Sequence, residues 1–155
     1  MLEAGAIHYR IVPVMLRFLF KKHLTRKARV AAVHDVVDGL NSLDYEAVFR
    51  VMTPDAVLVD GNGLKLEGVD AIIDGDRAFR EQADRPQILI DTLDHSGDEV
   101  LVRGHINSSM PEIDGPVMWR VYFDGWRIAR VEITRPPDRM TGPLFAAQRE
   151  ARRAS

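Results

Sequence analysis

The chain reads as an α+β protein: a curved antiparallel sheet wrapped around about three helices, an α+β cone, with an extra N-terminal basic amphipathic helix. Three observations predict this. Apolar residues recur at three- and four-residue steps through the first half of the chain. The second half alternates in the manner of strands, and Asp124-Gly125 between two such runs is a strong two-residue hairpin signal. Helices followed by long antiparallel strands imply one sheet covered on one face. Such a sheet curves around its helices and leaves a conical hollow, where a ligand would go.

Each element follows from its residues. Pro13 suits a first helical turn, and Val14, Leu16, Phe18, Leu19 and Phe20, followed by Lys21, Lys22 and Arg26, make a basic amphipathic helix. Its expected use is packing on the domain or on a partner subunit, ahead of peripheral contact with a membrane surface. From 28 to 40, Val30, Val33, Val36, Val37 and Leu40 mark a second helix, with Gly39 and Asn41 at its end. Asp44 is a plausible N-cap for a short helix through Met52, stopped by Pro54-Asp55. Residues 56–59 then form a strand that runs into the turn Asp60-Gly61-Asn62-Gly63. Residues 68–84 are helical and carry Val69, Ile72, Ile73 and Phe79.

The rest is strand-like. Residues 87–93 and 100–108 face each other across 94–98, a turn in which His95 should be solvated. Residues 117–123 and 126–134 face each other across Asp124-Gly125. After Pro136-Pro137 the tail keeps one weakly helical patch at 144–153 and no core of its own. The expected organisation is a basic arm at 1–27, a cone domain at 28–135 and a basic tail at 136–155.

Composition narrows the function classes. At 155 residues the chain fits one domain with a real core and no need of metal or disulfide support. It has no cysteine, which excludes disulfides, thiolate metal sites and cysteine nucleophiles and fits a cytoplasmic location. The net charge of −2 conceals +6 over residues 1–29, −11 over 30–134 and +3 over 135–155. The acidic body argues against nucleic acid as a partner. The apolar run 11–20 contains Pro13 and Arg17 and falls short of the ~20 residues a membrane span needs. Lys21, Lys22 and His23 follow it where a signal peptide would have small residues. The histidines at 8, 23, 34, 95 and 105 lack metal-ligand spacing, and Gly61-Asn62-Gly63 leads into Leu64-Lys65 rather than a helix start. Neither a metal nor another cofactor is expected.

Three stretches carry a family resemblance: LNSLDYEAVFRVMTPDAVLVDGNG at 40–63, LEGVDAI at 66–72 and the closing WRVYFDGWRIARVEI hairpin at 119–133. They resemble the nuclear transport factor 2-like superfamily, in particular its SnoaL-like branch, over residues 28–135. The resemblance implies the cone fold. It leaves function to the site, because the superfamily holds isomerases, cyclases, dehydratases, epoxide hydrolases and non-catalytic binding modules. Aligned without gaps to the steroid Δ-isomerase branch, Asp60 falls on the general base, Val36 on the oxyanion-stabilising tyrosine and Trp119 on the protonated aspartate. Valine donates nothing and an indole N–H donates only if it points inward, so that mechanism is not expected here. Against the limonene-epoxide-hydrolase-like branch, Arg103 matches the arginine of an Arg-x-Asp pair and His105 replaces its aspartate. The last acidic partner falls on Ile133, with Glu132 one residue off and facing the other way, so that triad is not expected either.

The candidate catalytic set is Asp60, Arg103 and His105. The candidate ligand contacts are Trp119, Leu58, Val36, Leu101, Asn107, Val121 and Ile133, joined on strand parity by Phe123 and Val131. A carboxylate at the end of a buried strand is a usable base, a histidine changes charge near neutral pH, and an arginine holds an anion. Burial raises a carboxylate's pKa while a nearby guanidinium lowers it, so a poised base needs Arg103 turned towards the ligand. Structural roles stand beside these: Asp60 capping the turn by side-chain hydrogen bonds, Arg103 and His105 on the outer sheet face, Trp119 and Trp126 as packing. The expected function is binding of a small organic molecule, with cofactor-free isomerase, cyclase, dehydratase or hydrolase chemistry. The alternative is a non-catalytic ligand-binding or protein-association module. A homodimer through the sheet face opposite the helices is expected.

Overall fold

The computed structural model describes residues 4–155, with side chains from Met15 onward except Phe18, Phe20 and Lys22. Val14, Phe18, Phe20 and Lys22 of the expected amphipathic face therefore lie outside the described residues. The elements run α1 (Ala4–Ser42), α2 (Tyr45–Val51), β1 (Met52–Asp60), β2 (Lys65–Glu67), α3 (Val69–Gln82), β3 (Gln87–Ser96), β4 (Glu99–Asn107), β5 (Gly115–Asp124), β6 (Arg127–Thr134) and α4 (Gly142–Arg153). This is the expected α+β cone. The six strands order as β2-β1-β6-β5-β4-β3.

One pairing corrects the all-antiparallel expectation: β1 and β6 run parallel. The chain between them contains α3 and two hairpins, long enough to return in the same direction, whereas a short turn permits only antiparallel pairing. β2 adds a short antiparallel edge to β1, at residues where the sequence pattern marks no element.

The arm and the first core helix are a single helix. Pro13 lies inside α1 rather than at its start; its ring removes one i→i−4 bond without ending the run. Ala32, Val33, Val36 and Val37 form the buried stripe, as the three- and four-residue spacing predicted. Towards the N-terminus, Arg29 is the last tether: its Nε donates to the Gly125 carbonyl at 2.8 Å and its guanidinium lies 5.2 Å from the Phe123 ring centre. Beyond it Met15, Leu16, Leu19 and Leu24 are 48–67% exposed, so the domain does not cover them.

Asp44 caps α2 as expected, accepting from the Ala47 N–H. The helix ends at Val51, however, and Pro54-Asp55 belong to β1, where a bulge between Met52 and Val57 takes up the extra residues. The core, with Val33, Val48, Val100, Val121 and Ile128 fully buried, lies between the concave sheet face and the helices. His95, expected in a solvated turn, sits near the end of β3 with both ring nitrogens covered and without a hydrogen-bond partner among the described residues. Burial, then the charges of Arg26 and Arg29, hold its pKa below the ordinary histidine value.

The tail has no core of its own, as expected, but it packs on the domain. Thr141 caps α4 by accepting from the Leu144 N–H, Pro143 occupies the first turn, and Phe145 packs edge-on against Phe79 of α3 at 5.3 Å. Ala78, Ala83 and Ile113 complete this second cluster. Burying one phenylalanine stabilises by about 1.5–3 kcal/mol, enough to hold a twelve-residue helix that would not persist alone. Among the described residues no helix is long and apolar enough to cross a membrane.

Candidate functional site

The cone encloses a cavity of about 110 Å³. Val36 and Leu40 of α1, Leu58 of β1, Ile72 and Phe79 of α3, Ile88 of β3 and Ile106 of β4 supply apolar wall. Val117 and Trp119 of β5 with Val131 and Ile133 of β6 supply the rest of the sheet side. Four polar side chains reach the lining: Asp76, Arg80, Arg135 and Thr141.

Strand parity decides which sequence candidates come together here. Leu58 pairs with Val131, and Val131 with Val121, so these face the helices together with Trp119 and Ile133. Trp119, Leu58, Val36 and Ile133 line the cavity; Val121, 1% exposed, points the same way but is buried in core behind it.

On β4 the expected parity is inverted. Val100, Val102 and Gly104 stand opposite Val121, Trp119 and Val117 and therefore face inward. Leu101, Arg103, His105 and Asn107 consequently lie on the outer face, and none of them lines the cavity. Gly104 pins this register. A Cβ at this position would meet the Leu89 carbonyl oxygen at 2.1 Å, beside the β3 bulge between Ile90 and Thr92. His105 instead pairs with Asp91 at 3.4 Å on the outer face.

Asp60 is buried, yet its carboxylate is fully engaged. Oδ1 accepts from the N–H groups of Asn62 and Leu64 at 2.9 and 3.1 Å, and Oδ2 accepts from the Thr141 hydroxyl at 2.7 Å. It caps the glycine turn and anchors the start of α4. Asp60 does not line the cavity, and Arg103 and His105 stand on the far side of the sheet. The three expected catalytic side chains do not converge.

A different carboxylate does face the cavity. Asp76 lies on α3 one turn after Ile72 and shares its inward stripe. Its Oδ2 accepts from the Tyr45 hydroxyl at 2.8 Å and from Arg80 Nε at 2.9 Å, while Oδ1 takes no hydrogen bond among the described residues. Burial pushes the Asp76 pKa above the usual carboxylate range; the Arg80 charge and the bonds from Tyr45 and Arg80 pull part of the way back. Burial first, then the Asp76 charge and hydrogen bond, holds the Tyr45 hydroxyl well above its ordinary value, so it stays a donor. Arg80, 3% exposed, also donates to the Pro86 carbonyl and is thereby fixed at both ends of its guanidinium.

Arg135 closes the opposite side. It donates to the carbonyls of Met140, Ile113 and Pro116 and folds residues 135–142 across the cavity. Burial, then the neighbouring Arg139 charge, lowers its pKa from the ordinary value. Tyr45, Asp76, Arg80, Arg135 and Thr141 were missed from the sequence. The available signal was Asp76 and Arg80 at i, i+4 on the apolar stripe of α3, where a charge belongs only if it is paired.

The SnoaL-like domain family matches residues 33–134, about two thirds of the chain. The protein belongs to this family, within the nuclear transport factor 2-like superfamily. Among solved structures, a candidate polyketide cyclase from Sinorhizobium meliloti is 26% identical, with TM-score 0.61 over 66% of this chain and 93% of that one. A candidate ketosteroid isomerase from Kribbella flavida is 14% identical, with TM-score 0.63 over 71% of this chain and 78% of that one. An NTF2-like protein of unknown function from Burkholderia pseudomallei is 16% identical, with TM-score 0.60 over 68% and 88%. The last two likenesses concern the fold alone. The comparison with curated proteins finds no match.

Proposed function

We propose that the cavity binds a small, single-ring organic molecule whose polar end donates to Asp76 Oδ1, and that the chemistry, where there is turnover, is cofactor-free proton transfer. The observation that carries this is a carboxylate oxygen, Asp76 Oδ1, with no hydrogen-bond partner among the described residues, on a half-buried side chain that lines a mostly apolar wall. Such an atom favours a ligand O–H or N–H over water-free apolar contact. A raised carboxylate pKa brings the group closer to the range in which it exchanges protons near neutrality. In this reading Oδ1 removes the proton, while Tyr45 and Arg80 hold Oδ2 and fix the carboxylate plane. An isomerase, cyclase, dehydratase or hydrolase step would use the same group; the candidate cyclase and isomerase among the structural relatives are compatible with it.

Size supports a second reading, ligand binding without turnover. The cavity is smaller than the roughly 300–1,000 Å³ usual for drug-sized ligands and nearer the ~150 Å³ hollow that takes benzene. Thermal-shift and calorimetric titration with phenol, toluene and benzene separate the outcomes. Phenol should bind best, its advantage should vanish in Asp76→Asn, and Val117→Phe should abolish binding of all three. Equal affinity of Asp76→Asn for phenol would remove Asp76 from the site. Absence of any binding by the unaltered protein would remove the ligand reading.

Homodimerisation through the outer sheet face goes with this proposal, supported by exposed Leu89 and Met118 beside half-buried Leu101. Light scattering of the native protein and of Met118→Glu tests it: a dimer that the substitution leaves intact is assembled elsewhere. A cytoplasmic location, expected from a cysteine-free sequence, belongs to the same reading.

A further inference from the structure

We propose that the overhanging half of α1 is a docking helix for an anionic lipid surface, with Phe49 and Trp126 entering the same interface beside it. The geometry comes first. Arg29 ties α1 to the Gly125 carbonyl and pairs with Asp98, so both hairpin turns, at Gly97-Asp98 and Gly125-Trp126, gather at one end of the sheet. From there α1 continues to Ala4, about 37 Å further at 1.5 Å per residue, and the described apolar side chains on it, Met15, Leu16, Leu19 and Leu24, are exposed.

Charge comes second. Between positions 4 and 34 the sequence holds seven Lys and Arg residues and no Asp or Glu. Arg17, Lys21, Arg26 and Lys27 are exposed, interleaved with exposed Met15, Leu16, Leu19 and Leu24. This is the composition of an interfacial helix: apolar side chains enter the acyl boundary while long cationic ones reach back to phosphate.

The adjoining surface extends the same chemistry. Trp126, 42% exposed, sits at the tip of the β5–β6 turn with the Arg127 guanidinium 5.8 Å from its ring centre. Phe49, 52% exposed, neighbours Arg50, whose carbonyl accepts from Arg127 Nε at 3.2 Å. Aromatic rings of this kind favour the headgroup level. Of the acids near this end, Asp98 faces Arg29 and Glu99 pairs with Arg120, while Asp124 and Glu46 stand beside Trp126 and Phe49 in the same turn and helix.

Pairing with a second copy of the helix is disfavoured by the same residues. Two such helices would oppose cation to cation along their length, with no acidic side chain in either to offset the repulsion.

Co-sedimentation of the full chain with phosphatidylcholine vesicles, with and without phosphatidylglycerol, tests the proposal. Binding should require the anionic lipid, weaken as salt is raised, and shift Trp126 emission to shorter wavelength. Lys21→Gln and Arg26→Gln should each loosen it about fivefold, the equivalent of one cation at the surface. Leu16→Ser combined with Leu19→Ser should weaken it further while leaving the melting temperature unchanged, since both side chains are exposed. No binding to anionic vesicles at low salt would overturn the proposal. So would binding indifferent to these substitutions, or concentration-dependent self-association in sedimentation that the double leucine substitution abolishes.

Discussion

Asp60 lies buried behind the wall of the hollow and half-buried Asp76 lines it, and their surroundings treat the two carboxylates in opposite ways. Asp60 has three donors aimed at it from Asn62, Leu64 and Thr141, which engage both of its oxygens. Asp76 has both of its donors crowded onto one oxygen, and burial of the other raises its pKa. Burial alone therefore does not make a carboxylate a base. What matters is the acceptor capacity left after the protein has satisfied its own needs. Asp60 is spent on its turn and on α4, whereas Asp76 keeps one oxygen without a partner among the described residues.

Substitutions at the two sites should behave differently. The largest effect expected is from Arg80→Ala, which leaves Asp76 buried without its cation; removing one partner of a buried pair costs about 3–5 kcal/mol. Chemical denaturation reads it directly, and a cost below 1 kcal/mol would mean that Asp76 is hydrated in the native state. Next comes Asp60→Ala at about 3 kcal/mol, through loss of the turn cap and the anchor of α4. Phenol affinity normalised to the folded fraction should survive it, whereas in Asp76→Asn, which leaves buried Arg80 without its anion and so also destabilises, the affinity of the folded fraction should fall. Tyr45→Phe removes one hydrogen bond to a charged acceptor, for about 1.5–3 kcal/mol.

The pH response distinguishes the same two groups. A raised folded-state pKa means that Asp76 favours folding fully below the ordinary carboxylate value of 3.8 and loses that contribution as pH rises through the folded value. Parallel urea titrations of the native chain and Asp76→Asn should diverge across that interval and run level above it. The smallest effect belongs to the outer face: His105→Ala should stay within about 0.5 kcal/mol, because its pairing with Asp91 is exposed.

The fold was largely legible. The valine spacing of α1, the Asp44 cap and the Asp124-Gly125 hairpin all speak through local periodicity and turn chemistry, which survive tertiary context. The inner and outer faces of β4 were not legible. Val100, Leu101 and Val102 are consecutive apolar residues, so alternation gives no parity, and the decisive constraint is the missing Cβ at Gly104 against a bulged neighbour. Asp60 was correctly placed at a buried strand end, but its hydroxyl partner lies 81 positions away at Thr141, beyond what spacing can reveal. Asp76 escaped notice because a lone acid on a helix reads as solvent-facing unless Arg80 and Tyr45 are seen converging on it. Pro136-Pro137 gave the appearance of a domain end, although the chain turns back and packs Phe145 on α3.

The Asp60–Thr141 bond does more than steady a helix. The family match stops at residue 134, whereas Arg135, Met140, Thr141 and Gly142 all border the hollow. Threshold and doorway are thus built from different stretches of polypeptide: a bowl inside the matched domain, and a stopper after it, pinned by the Thr141 hydroxyl, the Arg135 guanidinium and the Phe145 ring. Exchanging that stopper would retune which guests are admitted while leaving every strand where it is.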